Sequence, residues 1–506
     1  MSSKAFQNAD KLNALVSISV LEFGAIGDGV ADDTAAIQAA LNAVDAAGGG
    51  SVYIPATSSF YNLTSVLLIG SNTTLYGDGM DASRLKWSTL PPTVITGDFS
   101  GASGRRAILN KNYTLSGTQN TSISIRDLKV DLSLIVGALS NARQAIYFFN
   151  CTFVSVKNCH VLSDGGCILN VKVTNYIVDS NYCEQVGTYA SSDGMIDQWW
   201  GSQNGIISNN YVDGKLLCKY AILLTASDTT GGTGGTMSNI KFLGNTVKNA
   251  GRMGFWVEGR IDTAQFIEIC NNTIDTCGPA PDNTGYGIRV LSCNNVIVSG
   301  NHIFNCYGFG IELSAAQGQP WTRNGENYVV SSNTIKNVGL RRTTGSLTDV
   351  SAIRVYYTNG VQVTDNQITP LSTALYLYAI EVDNVSSSLI ISENVLSAGI
   401  NANAIYFGTN QAIKIYRNFG FVTEAFGQAT ILSGTSSIVV TSLNINFNPA
   451  EANSPFFIAI APLNIASNMA SLGAPIVANW TQTQFEVRVA TNATSNFVFR
   501  WSIVRL

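Results

Sequence analysis

Apolar and polar residues alternate along this chain in short bursts, and the bursts return at a fixed distance. The clearest is Gly287-Ile288-Arg289-Val290, followed thirteen residues after Ile288 by Asn301 in Gly300-Asn301-His302-Ile303. Its opening half recurs as Ala145-Ile146, Cys167-Ile168, Met195-Ile196, Ala221-Ile222, Gly254-Phe255, Gly310-Ile311, Ala352-Ile353, Ala379-Ile380 and Ala404-Ile405. Its closing half recurs at Asn181, Asn210, Asn245, Asn272, Asn333, Asn366, Asn394 and Asn418, with Cys159 standing in for the first copy. From Asn181 to Asn418 there are eight steps over 237 residues, a mean of about 30. A repeat of that length marks a solenoid.

The local pattern says which solenoid. Ile288-x-Val290, Ile311-x-Leu313 and Ile353-x-Val355 alternate with period two, which is strand and not helix. Val296-x-Val298 and Val361-x-Val363 predict a second strand before the asparagine, and Asn-x-Ile leads into a third. Gly, Asn, Asp and Ser separate them, as turns require. Three short strands per turn over about ten or more turns predict an all-β, right-handed parallel β-helix. The asparagines, one per turn, are expected to stack inward as a structural ladder.

Composition narrows the function. Charged residues make up 12% and the net charge is −4, so there is no basic face for nucleic acid. No apolar run reaches the roughly 18–20 residues of a membrane span, and Met1 to Ser19 lacks the layout of a secretory signal. Nine cysteines at irregular spacing read as free thiols in the core. Only His160 and His302 are present, each following the asparagine site where other copies carry Tyr182, Tyr211 or Thr273. Proton transfer in any enzyme of this composition therefore falls to carboxylates.

The N-terminal stretch reads differently. Asp32-Asp33-Thr34 is an N-cap for an alanine-rich helix over Ala35 to Ala46, with Ile37, Leu41 and Val44 on one face and Gly48-Gly49-Gly50 as its stop. Laid across the first turn, this helix closes the solenoid's open end. Phe23-Gly24-Ala25-x-Gly27-Asp28-Gly29-x-x-Asp32-Asp33-Thr34-x-Ala36-Ile37-Gln38-Ala39-Ala40, followed by Gly49-Gly50-x-Val52-x-x-Pro55, resembles the opening motif of the pectate-lyase-like superfamily. That group includes polygalacturonases, epimerases and phage depolymerases. The resemblance implies the fold but says little about the reaction.

After Gly427 the period breaks into alternating strands that predict a small antiparallel sandwich. Ala429-Thr430-Ile431-x-Ser433-Gly434 and Phe497-x-Phe499-x-Trp501 resemble the terminal domain of trimeric phage tail proteins. The expected organisation is a cap with first turns over 1–90, the coil over 91–423, and a trimerising sandwich over 424–506. The resemblance implies a homotrimeric tailspike-like depolymerase, located on a virion tail or outside the cell, that acts on a bacterial polysaccharide.

Aligning the turns on their leading Ile places candidate chemistry. Residues at Ile+1 and Ile+3 point outward. The first line runs through Asp197, Trp256, Arg289, Glu312, Arg354 and Glu381, and the second through Trp199, Glu258, Tyr356 and Asp383. Such a strip suits a sugar chain: Trp199, Trp200, Trp256 and Tyr356 offer stacking faces, and Arg289 and Arg354 grip oxygen atoms. Long inserts, one carrying Trp321, follow the same strands. Glu258 and Glu312 stand two turns apart, about 9.6 Å of rise plus a sideways step, near the roughly 6.5–9.5 Å of an inverting glycosidase. The expected roles are Glu312 as acid, Glu258 as base and Arg289 as substrate anchor, with Asp197 as the further candidate. Glu381 and Asp383 read as members of a surface ion-pair ladder. No cofactor is called for by hydrolysis. A uronate lyase using Arg289 or Arg354 with Ca²⁺, and a fibre that only binds glycan, are the alternatives.

Overall fold

In the computed structural model, the described residues are 17–91, 93–95, 103–114, 118–135, 143–187, 194–226, 235–259, 264–278, 285–315, 325–340, 350–370, 376–383, 388–397, 404–407, 413–419, 424–440, 456–463, 475–478 and 485–505. One turn of the coil shows the construction. Tyr286–Leu291 lies in the front sheet, Asn294–Ser299 in the back sheet and His302–Cys306 in the side sheet. Each strand pairs in parallel with its counterpart one turn away, giving sheets of 13, 14 and 12 strands respectively. The strands alternate because one face is buried: Asn294–Ser299 buries Val296 and Val298 and exposes Ile297. A slip of one residue would exchange those faces, so the pattern fixes the register.

The corner between back and side sheets is held by the asparagines. Asn301 donates from Nδ2 to the Ile269 carbonyl at 2.8 Å and to Asn333 Oδ1 at 2.9 Å, and its own Oδ1 accepts from the Asn272 backbone and side chain at 3.0 Å each. The same set recurs without a break from Asn181 to Asn418, and all nine side chains are buried. The Cys159 backbone N–H joins the end of the ladder by donating to Asn181. The residue before each ladder asparagine turns the corner in the left-handed region, as at Asn271, Gly300 and Asp365. The cysteines are free and all buried apart from Cys270, which is half-buried. Burial pushes the Cys293 thiol up to about 12, so it packs as an uncharged group.

The coil starts earlier than the repeat phrase does. Gly50–Ile54 already pairs with Thr73–Gly77 in the back sheet, so the early turns are coil that lacks the asparagine signature. The helix over Thr34–Ala46 buries Ile37, Ala40, Leu41 and Val44 across the open end. Its capping divides the work differently from expectation. Asp33 occupies the N-cap position without capping the helix; its carboxylate accepts from Ile26 and Gly27 at 2.6 and 3.1 Å and fixes the preceding turn. Asp32 accepts from the Thr34 N–H and hydroxyl instead. Burial pushes the Asp32 carboxyl up, but the bonds from Thr34 and Thr64 outweigh it and hold it below the ordinary range.

Beyond the coil, Phe497–Arg505 pairs antiparallel with Glu424–Ile431 and Phe456–Pro462. Phe485–Arg488 pairs in the same way with Ser437–Val440 and Ile476–Ala478. Ile431, Phe485, Val487, Phe497 and Phe499 form a core separate from that of the coil.

Candidate functional site on the front sheet

The front strands begin with a departure from simple alternation. Ala221, Ala352 and Ala379 point into the core, and so does the Ile that follows each of them. Two consecutive residues therefore face inward. The first is small in most turns, and at Gly287 it must be, since a Cβ there would lie 2.6 Å from Ile303 Cγ2. The consequence is that the residue two before each Ile faces outward. Tyr220, Met253, Tyr286 and Phe309 occupy that line and pack with Leu223 and Trp256. This aromatic line is absent from the expectation. Its signal was the residue before each leading Ile, small in every copy but Met195, which a strict period of two does not explain.

The two expected lines hold in register. Leu223, Trp256, Arg289, Glu312, Arg354 and Glu381 are successive cross-strand partners. So are Trp199, Thr225, Glu258, Leu291, Ser314, Tyr356 and Asp383. Glu258 and Glu312 thus share one face of the coil, two turns apart.

Aromatic rings and guanidinium groups interlock along this face. The Arg289 guanidinium lies 5.3 Å from the ring centres of both Trp256 and Tyr286. Arg354 lies 5.2 Å from Phe309 and 4.7 Å from Tyr356. Such contacts contribute about 0.5–2 kcal/mol each. The hydrogen bond to Tyr357, with burial, holds the Tyr356 phenol above its usual range, so Tyr356 stays a neutral group.

Glu312 sits between the two cations. Its Oε2 lies 2.6 Å from Arg289 Nε, and its Oε1 lies 3.8 Å from Arg354 Nη1. The Arg289 contact is an ion pair rather than an aligned hydrogen bond. Glu381 closes the run, 3.6 Å from Arg354 Nε, with the Ser351 hydroxyl donating to it at 2.6 Å. Glu258 accepts from the Thr225 hydroxyl at 3.4 Å. Both Glu258 and Glu312 are only 4% exposed, and Glu312 is enclosed between Arg289 and Arg354.

Other candidates are displaced by packing. Asp197 is fully buried and accepts from the Gly194 N–H at 3.0 Å, so it fastens the start of its own strand. Trp200 falls one residue past the outward line and is 2% exposed, packed with Tyr147, Phe149 and Leu169. It has no face for a sugar. Trp199 stays half-buried beside it, with ring centres 5.4 Å apart. Trp321 and most of the two long inserts lie outside the described residues.

Two family models match this chain. Residues 17–222 match "Rhamnogalacturonase A/epimerase, pectate lyase-like", and residues 194–396 match "Right handed beta helix region". Among curated proteins, mannuronan C5-epimerase AlgE1 of Azotobacter vinelandii is 48% identical over 75 residues, which is 13% of this chain and 5% of that protein. Alginate lyase 7 of the same organism is 39% identical over 95 residues, 17% of this chain and 11% of that protein. The matched stretches are thus small parts of these relatives. Among solved structures, a tailspike protein mutant of E. coli bacteriophage HK620 in complex with pentasaccharide superposes with a TM-score of 0.59 at 14% identity. It covers 97% of this chain and 94% of its own. The A-module of A. vinelandii epimerase AlgE6 gives 0.56 at 17% identity, over 79% of this chain and 98% of its own. An exopolygalacturonase from Thermotoga maritima gives 0.52 at 14%, over 83% and 96%. Across residues 17–396 the chain resembles the pectate-lyase-like right-handed β-helix proteins in sequence and in fold, and its fold is also that of a bacteriophage tailspike.

Proposed function

We propose that this protein cuts a bacterial surface polysaccharide by hydrolysis on the front sheet, with Glu258 and Glu312 as the carboxyl pair. The observation that carries the reading is that these acids share one face, two turns apart, beside a continuous line of rings and guanidinium groups. The surroundings favour exchanging the roles expected from the sequence. Both oxygens of Glu312 face guanidinium groups, which suits a carboxylate that accepts a proton from water. Glu258, beside the Thr225 hydroxyl and in register with Leu291, is the group we assign to protonate the leaving oxygen. In that step the Glu312 carboxylate takes a proton from the attacking water as its oxygen bonds to the anomeric carbon, and the Glu258 carboxyl gives its proton to the leaving oxygen as the glycosidic C–O bond breaks. Arg289 holds Glu312 and presents its stacked edge to the sugar. We place assembly as a homotrimer, on a virion tail, in the antiparallel strands after Glu424.

Digestion of purified capsular and O-antigen polysaccharides tests this. New reducing ends are expected, and Glu258→Gln or Glu312→Gln is expected to lower their release by about 10²–10⁴-fold. Azide should restore turnover to Glu312→Ala and not to Glu258→Ala. Undiminished release by either variant removes that residue from the mechanism.

The second reading is a uronate-directed lyase or epimerase, favoured by the epimerase and alginate lyase relatives. A new unsaturated-sugar absorbance without net hydrolysis would select the lyase, and isomerised uronate in an uncut chain would select the epimerase. On the front lines Glu258, Glu312, Glu381 and Asp383 outnumber Arg289 and Arg354, an excess of negative charge that suits a neutral glycan better than a polyuronate.

A further inference from the structure

The back sheet carries a trough, on a different face from the candidate cutting site. Its volume is about 960 Å³, and it runs along the coil from Phe153 to Val329. One wall is an outward line of residues in the left-handed region, including Asn175, Asn204, Asn239, Asn295 and Asn327. Asn204 donates to Asn175 at 3.2 Å, Asn239 to Asn204 at 3.1 Å, and Asn327 to Asn295 at 3.1 Å. The floor is apolar at Ile177, Ile206, Ile297 and Val329.

Phenylalanine twice replaces asparagine on this line. Phe153 has φ of 56° and Phe266 of 55°. Asparagine tolerates that conformation, whereas a bulky side chain there is strained. Phe266 gains little burial in return, being 51% exposed, and Phe153 is half-buried. A strained, exposed ring at a position where asparagine is the local rule points to a role outside folding. Phe153 and Phe266 are four turns apart, about 19 Å along the coil.

We infer that this trough is a separate binding site for a neutral glycan strand, with the phenyl rings as sugar platforms and the amides as hydroxyl partners. An amide that gives one N–H to its neighbour keeps a second donor and an acceptor lone pair. A hydroxyl-rich ligand meets those groups, whereas the apolar surface of another protein would bury them unsatisfied. The charged pair within the trough is internally matched, Lys241 to Glu268 at 2.7 Å, so neither an anion nor a cation is selected. The site would hold polymer while the front sheet acts on it, but the binding itself does not depend on the front-sheet reading.

Affinity electrophoresis of the full chain tests it, in native gels cast with dextran, glucomannan or a neutral O-antigen polysaccharide. At least one should retard the protein, and Phe153→Asn with Phe266→Asn should weaken that retardation at least fivefold. The paired variant should melt no lower than the parent, since asparagine suits the conformation, and should release reducing ends from short oligosaccharides at the parent rate. Absence of retardation by every neutral polysaccharide, or equal retardation of parent and variant, overturns the inference. So does a smaller sedimenting species for the variant, which would make the trough an interface between copies of this chain.

Discussion

Two asparagine ladders run along this coil, and they behave differently. The inner one passes through nine consecutive turns without substitution, every amide bonded to backbone and each but the last to the next amide. The outer one, on the back sheet, is interrupted by Phe153 and Phe266. The difference is solvent. An inner amide that lost its partner would leave donors and acceptors in a dry core, where each costs about 1–3 kcal/mol. An outer amide has water to replace any partner, so the position is open to a side chain chosen for binding. The same residue type is thus a folding device inside and a tolerant platform outside.

Three substitutions probe that contrast. Asn301→Leu should have the largest effect, about 4 kcal/mol or more of lost stability, because the Ile269 carbonyl, the Asn272 N–H and both neighbouring amides lose a partner at once. Chemical denaturation measures it; a loss below about 1 kcal/mol would mean that the ladder is incidental to stability. Arg289→Met should come next, at about 2 kcal/mol, by leaving the enclosed Glu312 carboxylate without its nearer cation while keeping most of the apolar stem. If the melting curve does not move, the front lines are as solvent-like as the outer ladder. Asn239→Gly should have the smallest effect, within about 0.5 kcal/mol, since glycine accepts the left-handed backbone and water replaces the bond to Asn204. A loss as large as that of Asn301→Leu would erase the distinction between the two ladders.

The front sheet shows where linear reading stops. The Ile+1 and Ile+3 lines were legible because side-chain direction in a strand depends only on local alternation. Tyr220, Tyr286 and Phe309 were not, because two successive inward residues shift the phase before each Ile. Trp200 reads as a stacking face next to Trp199, yet its backbone turns and its ring packs against Tyr147 and Leu169. Asp197 stands on the right line, but the Gly194 N–H claims its carboxylate.

What the amino-acid order determined by itself was the coil, its period, its capping helix and which residues share a line, since each follows from repeated local preference for strand, turn or buried amide. Only the tertiary structure decided what surrounds each of those residues. Glu312 is enclosed by Arg289 and Arg354 from the turns on either side, and Phe266 stands open above a trough built by seven strands. Enclosure and exposure are properties of neighbours about 30 residues away in the chain, and only the stacking of turns brings those neighbours within contact distance.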